Sequence, residues 1–255
     1  MCSTQNIIQF LERMKIIMKE NKSDYELISE SLEEYIDEAD EMVLCVYRDK
    51  LDTSKITHRH EVVDVHEEKD KILLPYHNIL TSKDDKYVNV SRLIVENNED
   101  FIQLVVGLIV KCKDKYVLMK CEDGIMNGNT TLIQGHVNWD KETAFTLYNI
   151  LQMEMIRELY EEISIDNIID NVHETDLELM YVAYNTWDKT RPSYYHYGFI
   201  YKLELPEIIY NGVNTINLVS KEPEKNKVIV ITKEELKNIV HPDTWLGEMV
   251  NRDNF

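Results

Sequence analysis

The sequence contains no run of about 20 apolar residues, the length that a membrane-spanning helix requires. Residues 1–22 alternate charged and apolar side chains and contain no signal-peptide core. The four cysteines, at positions 2, 45, 112 and 121, are dispersed and include no Cys-x-x-Cys pair, which disfavours both a disulfide framework and a zinc site. These absences predict a cytoplasmic protein with reduced thiols and no membrane partner.

Positive charge is also scarce, because the sequence has 28 lysines and arginines but 47 aspartates and glutamates. The formal net charge is −19. Such a surface repels long polyanions and offers few cations to displace their counterions, so tight binding to DNA or long RNA is not expected. A small anionic substrate is compatible with this charge, because bound cations and local basic side chains can invert the local field. A hydrophobic content of 44% is sufficient for a core.

The first 40 residues are predicted to form an N-terminal helical extension. Ile7, Leu11, Met14 and Met18 recur at helical spacing, and a second apolar stripe begins at Tyr25. The favoured interpretation is a helical hairpin that packs on the main domain, residues 41–255, or on a second subunit. The sequence therefore leaves open whether the protein forms a homodimer.

The main domain alternates strand and helix patterns, with strands predicted at 42–47, 71–76, 101–110, 116–119, 177–186, 194–205 and 227–231. A central helical pattern ends at Ile163, and Thr232 is a suitable N-cap for another helix. Strands on both sides of a central helix indicate a layered α/β domain. His58, His60 and His66 lie between the first two strands. Two of them could reach one metal ion, but no third ligand is evident, and a solvated loop is the favoured interpretation.

Acidic side chains share one face of the central helix. At 100° per residue, Glu158, Glu161 and Glu162 project to the same side, and Glu154 lies one turn before them. A separate apolar stripe is predicted to face the sheet: Leu151, Ile156, Leu159 and Ile163. Clustered carboxylates repel one another unless they are solvated or hold a hard dication such as Mg²⁺ or Mn²⁺. These residues alone leave both interpretations open.

The sequence that flanks these glutamates favours the metal-binding interpretation over solvated carboxylates. The run from Arg157 to Ile165, RELYEEISI, closely resembles the second half of the Nudix box, R-E-(apolar)-x-E-E-x-G-(apolar). Gly135 resembles the glycine that opens the box, and the run GHVN at 135–138 resembles a branch with a Gly-His-(Ile or Val)-Asn opening and a lengthened box. The resemblance covers about residues 100–205, with the box at 135–165. It implies an α/β/α sandwich with a mixed sheet.

Three departures from the family pattern accompany the resemblance. Arg157 follows Gly135 by 22 positions, whereas the usual spacing is 14. Lys141 replaces the glutamate that usually orients the arginine, which leaves the partner of Arg157 uncertain. Ser164 stands where the family has a glycine, and a left-handed helix end there would cost a serine about 1 kcal/mol. None of the three removes a metal ligand.

The resemblance implies hydrolysis of a phosphoanhydride bond in a nucleoside diphosphate linked to another small group. Glu158, Glu161 and Glu162 would hold Mg²⁺ or Mn²⁺, Arg157 would brace them, and either Glu161 or Glu162 would act as general base. Candidates for substrate binding are Gly135, His136, Lys120, Arg191 and Tyr195. Alternate tyrosines of 194–201 are interpreted as core and the others as surface. Two alternatives stay open: a Nudix-fold binding module without turnover, and an isoprenoid-diphosphate isomerase that would need a reactive cysteine, for which Cys121 is the candidate.

Overall fold

A mixed β-sheet organises the part of the chain that the computed structural model describes. That part comprises residues 41–52, 60–80, 84–96, 98–121, 128–139, 145–164, 172–185, 189, 192–205, 219–220, 226–240, 244–252 and 255. The predicted helical extension, His58, Lys141 and Arg191 lie outside the described residues. The division of the chain at residue 40 therefore stays a prediction.

The strands are β1 (Met42–Tyr47), β2 (His60–Asp64), β3 (Tyr87–Ser91), β4 (Phe101–Cys112), β5 (Lys115–Cys121), β6 (Thr130–Thr131), β7 (Ile133–His136), β8 (Ile163–Ser164), β9 (Leu177–Asn185), β10 (His196–Glu204), β11 (Val219–Ser220) and β12 (Asn226–Thr232). The α-helices are α1 (Arg92–Val95), α2 (Leu147–Glu162), α3 (Lys233–Ile239) and α4 (Trp245–Val250). Short 3₁₀ helices span Arg48–Lys50, Lys69–Lys71, Glu174–Asp176 and Pro192–Tyr195.

The long strand β4 lies at the centre of the sheet, whose main order is β12-β5-β4-β10-β9-β2. One edge of β4 pairs in parallel with β10. Its other edge pairs antiparallel with β1, β7 and β5 along successive segments. The remaining strand pairs of this sheet are antiparallel, so the sheet is mixed, as the resemblance implied.

Helices cover both faces of the sheet. Helix α2 buries Leu151, Met155 and Leu159 against one face, and its predicted apolar stripe therefore does face the sheet. On the opposite face, α3 and α4 bury Leu236 and Met249 against the outer strands. The architecture is an α/β/α sandwich, which confirms the predicted fold class. Within the described residues, no helix has both the length and the apolar character that a membrane span needs.

Most predicted strands are confirmed with small changes of boundary, but two predictions were wrong. Residues 71–76 do not form a strand, because their backbone groups find other partners: Leu73 N donates to Tyr197 Oη at 3.2 Å, and Tyr76 O accepts from Tyr148 N at the start of α2. Conversely, the predicted loop around His60 and His66 contains β2, which pairs with β9. Val62 and Val63 are both buried there, one in each core layer.

Helix α2 begins and ends without backbone strain. Thr146 caps its N-terminus by accepting a hydrogen bond from Asn149 N at 3.2 Å. At the other end, Ile163 has extended backbone angles, and the chain continues directly into β8, where Ser164 pairs with Val219. Among the described non-glycine residues, only Lys113 has a positive φ. Ser164 therefore adopts no left-handed conformation, and its replacement of the family glycine carries no such cost.

A partly buried ion-pair network ties the C-terminal segment to β2. Glu68 accepts hydrogen bonds from Lys71 Nζ at 2.6 Å and from Arg252 Nη1 at 3.0 Å. Arg252 also donates to the backbone oxygen of Val62. Burial alone would raise the pKa of Glu68, but the hydrogen bonds from Lys71 and Arg252 lower it to about 2. The carboxylate therefore stabilises the fold whenever it is ionised.

We expect Glu68→Gln to lower the free energy of unfolding by about 2 kcal/mol near pH 7. Because the folded-state pKa is depressed, this contribution is fully present above the ordinary pKa of 4.5 and disappears as the pH falls toward 2. Urea unfolding at pH 7 and at pH 4 or below measures the difference. Glu67→Gln, at the exposed neighbouring position, is the control and should cost little at either pH. A cost for Glu68→Gln that does not change with pH would contradict the assignment.

Candidate active site

The site is built around a close approach between strand β7 and helix α2. Gly135 pairs with Val106 of β4 and faces the side chain of Glu158. A Cβ atom at position 135 would lie 1.9 Å from Cδ of Glu158 and 2.1 Å from both of its carboxylate oxygens. No side chain fits at that distance, so the glycine makes the space that the Glu158 carboxylate occupies. The sequence did not predict this contact between Gly135 and Glu158.

Arg157 connects three of the helix carboxylates to β7. Its Nη1 donates to Glu161 Oε2 at 2.6 Å, and its Nη2 donates to Glu158 Oε1. The same Nη2 lies 3.1 Å from the backbone oxygen of His136, and Nε lies 3.1 Å from Glu154 Oε2. A guanidinium presents five donors in a rigid plane, which suits it to hold several carboxylates in fixed relative positions.

Glu154 provides the partner of Arg157 that the sequence left uncertain. Its Oε2 accepts from Arg157 Nε at 3.1 Å and from Nη2 at 3.0 Å. It also accepts from the backbone N–H of Asn138 at 3.1 Å. One largely buried carboxylate oxygen therefore joins the arginine to the chain just after β7. The i, i+3 spacing on a helix was the available signal, but Glu154 was noted only as part of the acidic face.

We expect Glu154→Gln to reduce turnover by roughly 10- to 100-fold, the range typical of residues that orient metal-binding side chains. A neutral amide accepts weaker hydrogen bonds from Arg157 and Asn138, so the carboxylates of α2 lose part of their fixed geometry. The measurement is kcat and KM at several Mn²⁺ concentrations. Met153→Gln, at an exposed position on the same helix, is the control. An unchanged kcat at every metal concentration would show that Glu154 has no positioning role.

The protonation equilibria reflect this crowding of charge. Burial raises the pKa of Glu158 to about 7, and the negative charges of Glu161 and Glu162 add to the rise, while Arg157 opposes it. Burial would lower the pKa of Arg157, but Glu158, Glu154 and Glu161 together raise it above its ordinary value. The site therefore holds a permanent positive charge that does not fully compensate the carboxylates around it.

The donor set suits a hard dication, although the carboxylates are not arranged around one. Within the described ranges, no three histidine, cysteine, aspartate or glutamate side chains converge into a ready-made metal centre. Glu161 is exposed, and Arg157 engages both Glu158 and Glu161. Two observations fit Mg²⁺ or Mn²⁺: the ligand atoms are carboxylate oxygens, and the Glu158 carboxylate fills a cradle that a Cβ atom would otherwise block.

The structure places the other predicted residues at differing positions around this site. The backbone oxygen of His136 bonds to Arg157, while its ring lies 5.5 Å from that of His196. Lys120 pairs with Thr130 just before β7. Tyr195 ends the 3₁₀ helix that precedes β10. Arg191 lies outside the described residues.

The predicted core role is confirmed for most of these tyrosines, but burial does not alternate strictly along the segment. Tyr194, Tyr197 and Tyr201 are buried, and Tyr197 stacks on Tyr184 with ring centroids 5.5 Å apart. Tyr195 differs from them because it is partly exposed and packs edge-on against Tyr194. Of this group, Tyr195 is therefore the side chain that a ligand could contact most directly.

The fold of this chain is similar to the folds of several solved structures. No protein-family model matches the sequence, and no curated protein matches it either. The crystal structure of Tm1382, a proposed Nudix hydrolase, is similar with a TM-score of 0.54 and 16% identity over 84% of this chain and 100% of that chain. The MutT Nudix hydrolase of Burkholderia pseudomallei covers 59% of this chain and 98% of that chain, with 14% identity and a TM-score of 0.39. The Nudix domain of Shewanella oneidensis NrtR, solved with ADP ribose, covers 58% of this chain and 84% of that chain, with 12% identity and a TM-score of 0.38.

Proposed function

We propose that this chain, which has the Nudix fold, is a metal-dependent hydrolase. Its substrate would be a nucleoside diphosphate joined to another small group, cleaved at the phosphoanhydride bond. The observation that carries the proposal is the cradle at Gly135, where a glycine backbone leaves room for the buried carboxylate of Glu158. Arg157 then links that carboxylate to Glu154 and Glu161. Glu154 and Glu158 are largely buried, and Arg157 supplies one positive charge for the three carboxylates that it contacts, so a bound dication would balance the remaining negative charge.

Each residue has a distinct part in the proposed reaction. Glu158, Glu161 and Glu162 would hold Mg²⁺ or Mn²⁺, which when bound would neutralise the diphosphate and acidify a water molecule. Glu158 fixes one end of the site against β7, and Arg157 keeps Glu161 close to it. Glu161 or Glu162, at the more accessible end of the cluster, accepts the proton of the attacking water at a carboxylate oxygen.

The substrate end of the site involves residues outside the acidic helix. His136 lies on β7, Lys120 lies on β5 opposite Thr130 of β6, and Tyr195 precedes β10. Together with Gly135 and Arg191, they are the proposed contacts to the nucleotide part of the substrate. The net charge of −19 favours a small substrate over a long nucleic acid. The metal would reverse the repulsion locally.

A screen of diphosphate compounds tests this function. The full chain is incubated with nucleotide sugars, dinucleotides and ADP ribose in the presence of Mg²⁺ or Mn²⁺, and the released products are measured. We expect metal-dependent cleavage of at least one compound. The Glu161→Gln/Glu162→Gln double variant should remain folded and lose that activity. Turnover that the double variant retains would refute the assignment of these residues.

The same screen addresses the two alternatives. A binding module would bind a compound of the set without releasing products at any metal concentration. An isomerase would need a reactive cysteine, but burial and the nearby charge of Glu162 raise the pKa of Cys121 above its ordinary value. A thiol with a raised pKa is a poor nucleophile at neutral pH, so this observation weighs against the isomerase.

A further inference from the structure

A cluster of polar side chains lies on the face of the sheet that points away from α2. Its central member is Gln103 of β4, which is fully buried. Among the residues that the structure describes, neither Nε2 nor Oε1 of Gln103 has a hydrogen-bond partner. Leaving a buried amide without partners is costly, and such groups are uncommon in native proteins. An unpartnered buried amide therefore calls for an explanation.

Three further side chains of the cluster are placed beside Gln103 by the strand register. His196 of β10 is its direct neighbour, and His136 of β7 is the neighbour of Val105, two residues along β4. The two imidazole rings lie 5.5 Å apart. Gly198 is the neighbour of Val105 on β10, and the indole of Trp245 packs directly over it. Side chains two apart on a strand share a face, so these groups lie together.

Two other members of the cluster also have unused hydrogen-bonding atoms. His136 Nε2 and Trp245 Nε1 are buried and have no hydrogen-bond partner in the described part of the chain. His136, His196 and Trp245 are partly exposed as whole residues, although the unpartnered atoms of His136 and Trp245 are buried. Contact between a ligand and Gln103 requires one of the side chains around it to move. The cluster thus combines one amide, two imidazoles and an indole, with several unsatisfied donors and acceptors.

The chemistry of these groups selects among ligands. A phosphate only accepts hydrogen bonds and would leave Gln103 Oε1 unpaired, and an apolar group would leave every atom unpaired. A sugar hydroxyl both donates and accepts, but it has no flat face for the rings of His136, His196 and Trp245. A nucleobase presents a donor and an acceptor side by side on its edge and an aromatic face for stacking.

We propose that Gln103, His136, His196 and Trp245 form the site that binds the nucleobase of the substrate, with Gln103 contacting the edge of the base. His136 lies at the border between this cluster and the acidic site, because its backbone oxygen bonds to Arg157 while its ring belongs to the cluster. The base would then lie on the opposite face of β7 from the diphosphate. This inference rests on the proposed function in one respect: it treats the base as part of the substrate.

Equilibrium binding to the metal-free full chain tests the proposal without requiring turnover. The probes are AMP, GMP, CMP and UMP, compared with ribose 5-phosphate, which has the same phosphate and sugar but no base. We expect at least one mononucleotide to bind about tenfold or more tightly than ribose 5-phosphate. Gln103→Leu should reduce that affinity to about the level of ribose 5-phosphate. Failure of all four mononucleotides to bind more tightly than ribose 5-phosphate would overturn the proposal.

The stability of the variant provides a second readout. Removing an unpaired buried amide relieves its desolvation cost, so Gln103→Leu should raise the thermal midpoint by roughly 3 to 6 °C while it weakens binding. A residue that serves only the fold would lower the midpoint when replaced. If the Gln103→Leu variant does not fold, Gln103→Met replaces it in both measurements. Unchanged mononucleotide affinity in the folded variants would also overturn the proposal.

The outcomes separate this inference from the proposed function. If the protein hydrolyses diphosphates with and without a base equally well, the hydrolase assignment stands and base binding by Gln103 fails. If mononucleotide binding depends on Gln103 but no diphosphate is cleaved, base binding stands and the hydrolase assignment fails.

Discussion

The Glu158→Gln variant is expected to lose metal-dependent hydrolysis by about a thousandfold or more. A bound dication contributes several kcal/mol to stabilisation of the transition state, and each 1.36 kcal/mol corresponds to a factor of ten in rate. Glutamine has the shape of a protonated glutamate but is a weaker ligand for a hard cation. Burial already raises the pKa of Glu158 to about 7, so the site accommodates an uncharged group and the fold should persist.

The comparison is made at saturating Mn²⁺, with circular dichroism as a check on folding. Glu234→Gln, an exposed change on α3 far along the chain from the site, is the control and should retain full activity. A Glu158→Gln variant that keeps more than about a tenth of the turnover would place the reaction elsewhere, since the loss of a metal ligand should be much larger.

The second large effect is expected for Gly135→Ala, because the new Cβ atom would lie 1.9 Å from Cδ of Glu158. The carboxylate would have to move by more than 1 Å to relieve this overlap, and a displacement of that size commonly reduces turnover by about 100-fold. The free energy of unfolding should fall by about 1–3 kcal/mol, which is typical of overpacking. Steady-state kinetics and urea unfolding measure the two effects.

Two further variants make this prediction specific. In a Glu158→Ala background, Gly135→Ala should cost little additional activity, because the overlap no longer exists. Gly107→Ala introduces a Cβ atom on β4 at 3.0 Å from Ile200 Cδ1, a side-chain end that can move. It should lower stability slightly and leave turnover near that of the wild type. Full additivity of the Gly135 and Glu158 changes would show that the two residues do not act together.

The acidic helix face was predictable because side-chain direction on a helix follows directly from spacing. That Leu159 faces the sheet and Glu158 lies on a different face required only the 100° rotation per residue. The contact of Glu158 with Gly135 depends on where β7 lies, which helix spacing does not specify. The link between Glu154 and Arg157 was less evident, because the family places the partner of the arginine nearer the glycine. The structure instead uses a glutamate one turn before Arg157 on the same helix.

The Gln103 cluster could not be predicted from the sequence. Gln103 lies inside an apolar run, within the strand predicted at 101–110, and the structure confirms that strand. Its association with His136 and His196 depends on which strands border β4, and sequence periodicity does not specify strand neighbours. The same limit applies to β2, because two adjacent buried valines give no alternating pattern of apolar and polar residues.

The central claim is that Glu158, Glu161 and Glu162 together hold a divalent cation. Calorimetric titration of Mn²⁺ into the full metal-free chain tests it most directly. We expect saturable binding by the wild type, weakened by about a hundredfold or more in the Glu161→Gln/Glu162→Gln variant, because metal ligands contribute at least as much affinity as the residues that orient them. Equal affinity of the two proteins for Mn²⁺ would contradict the account.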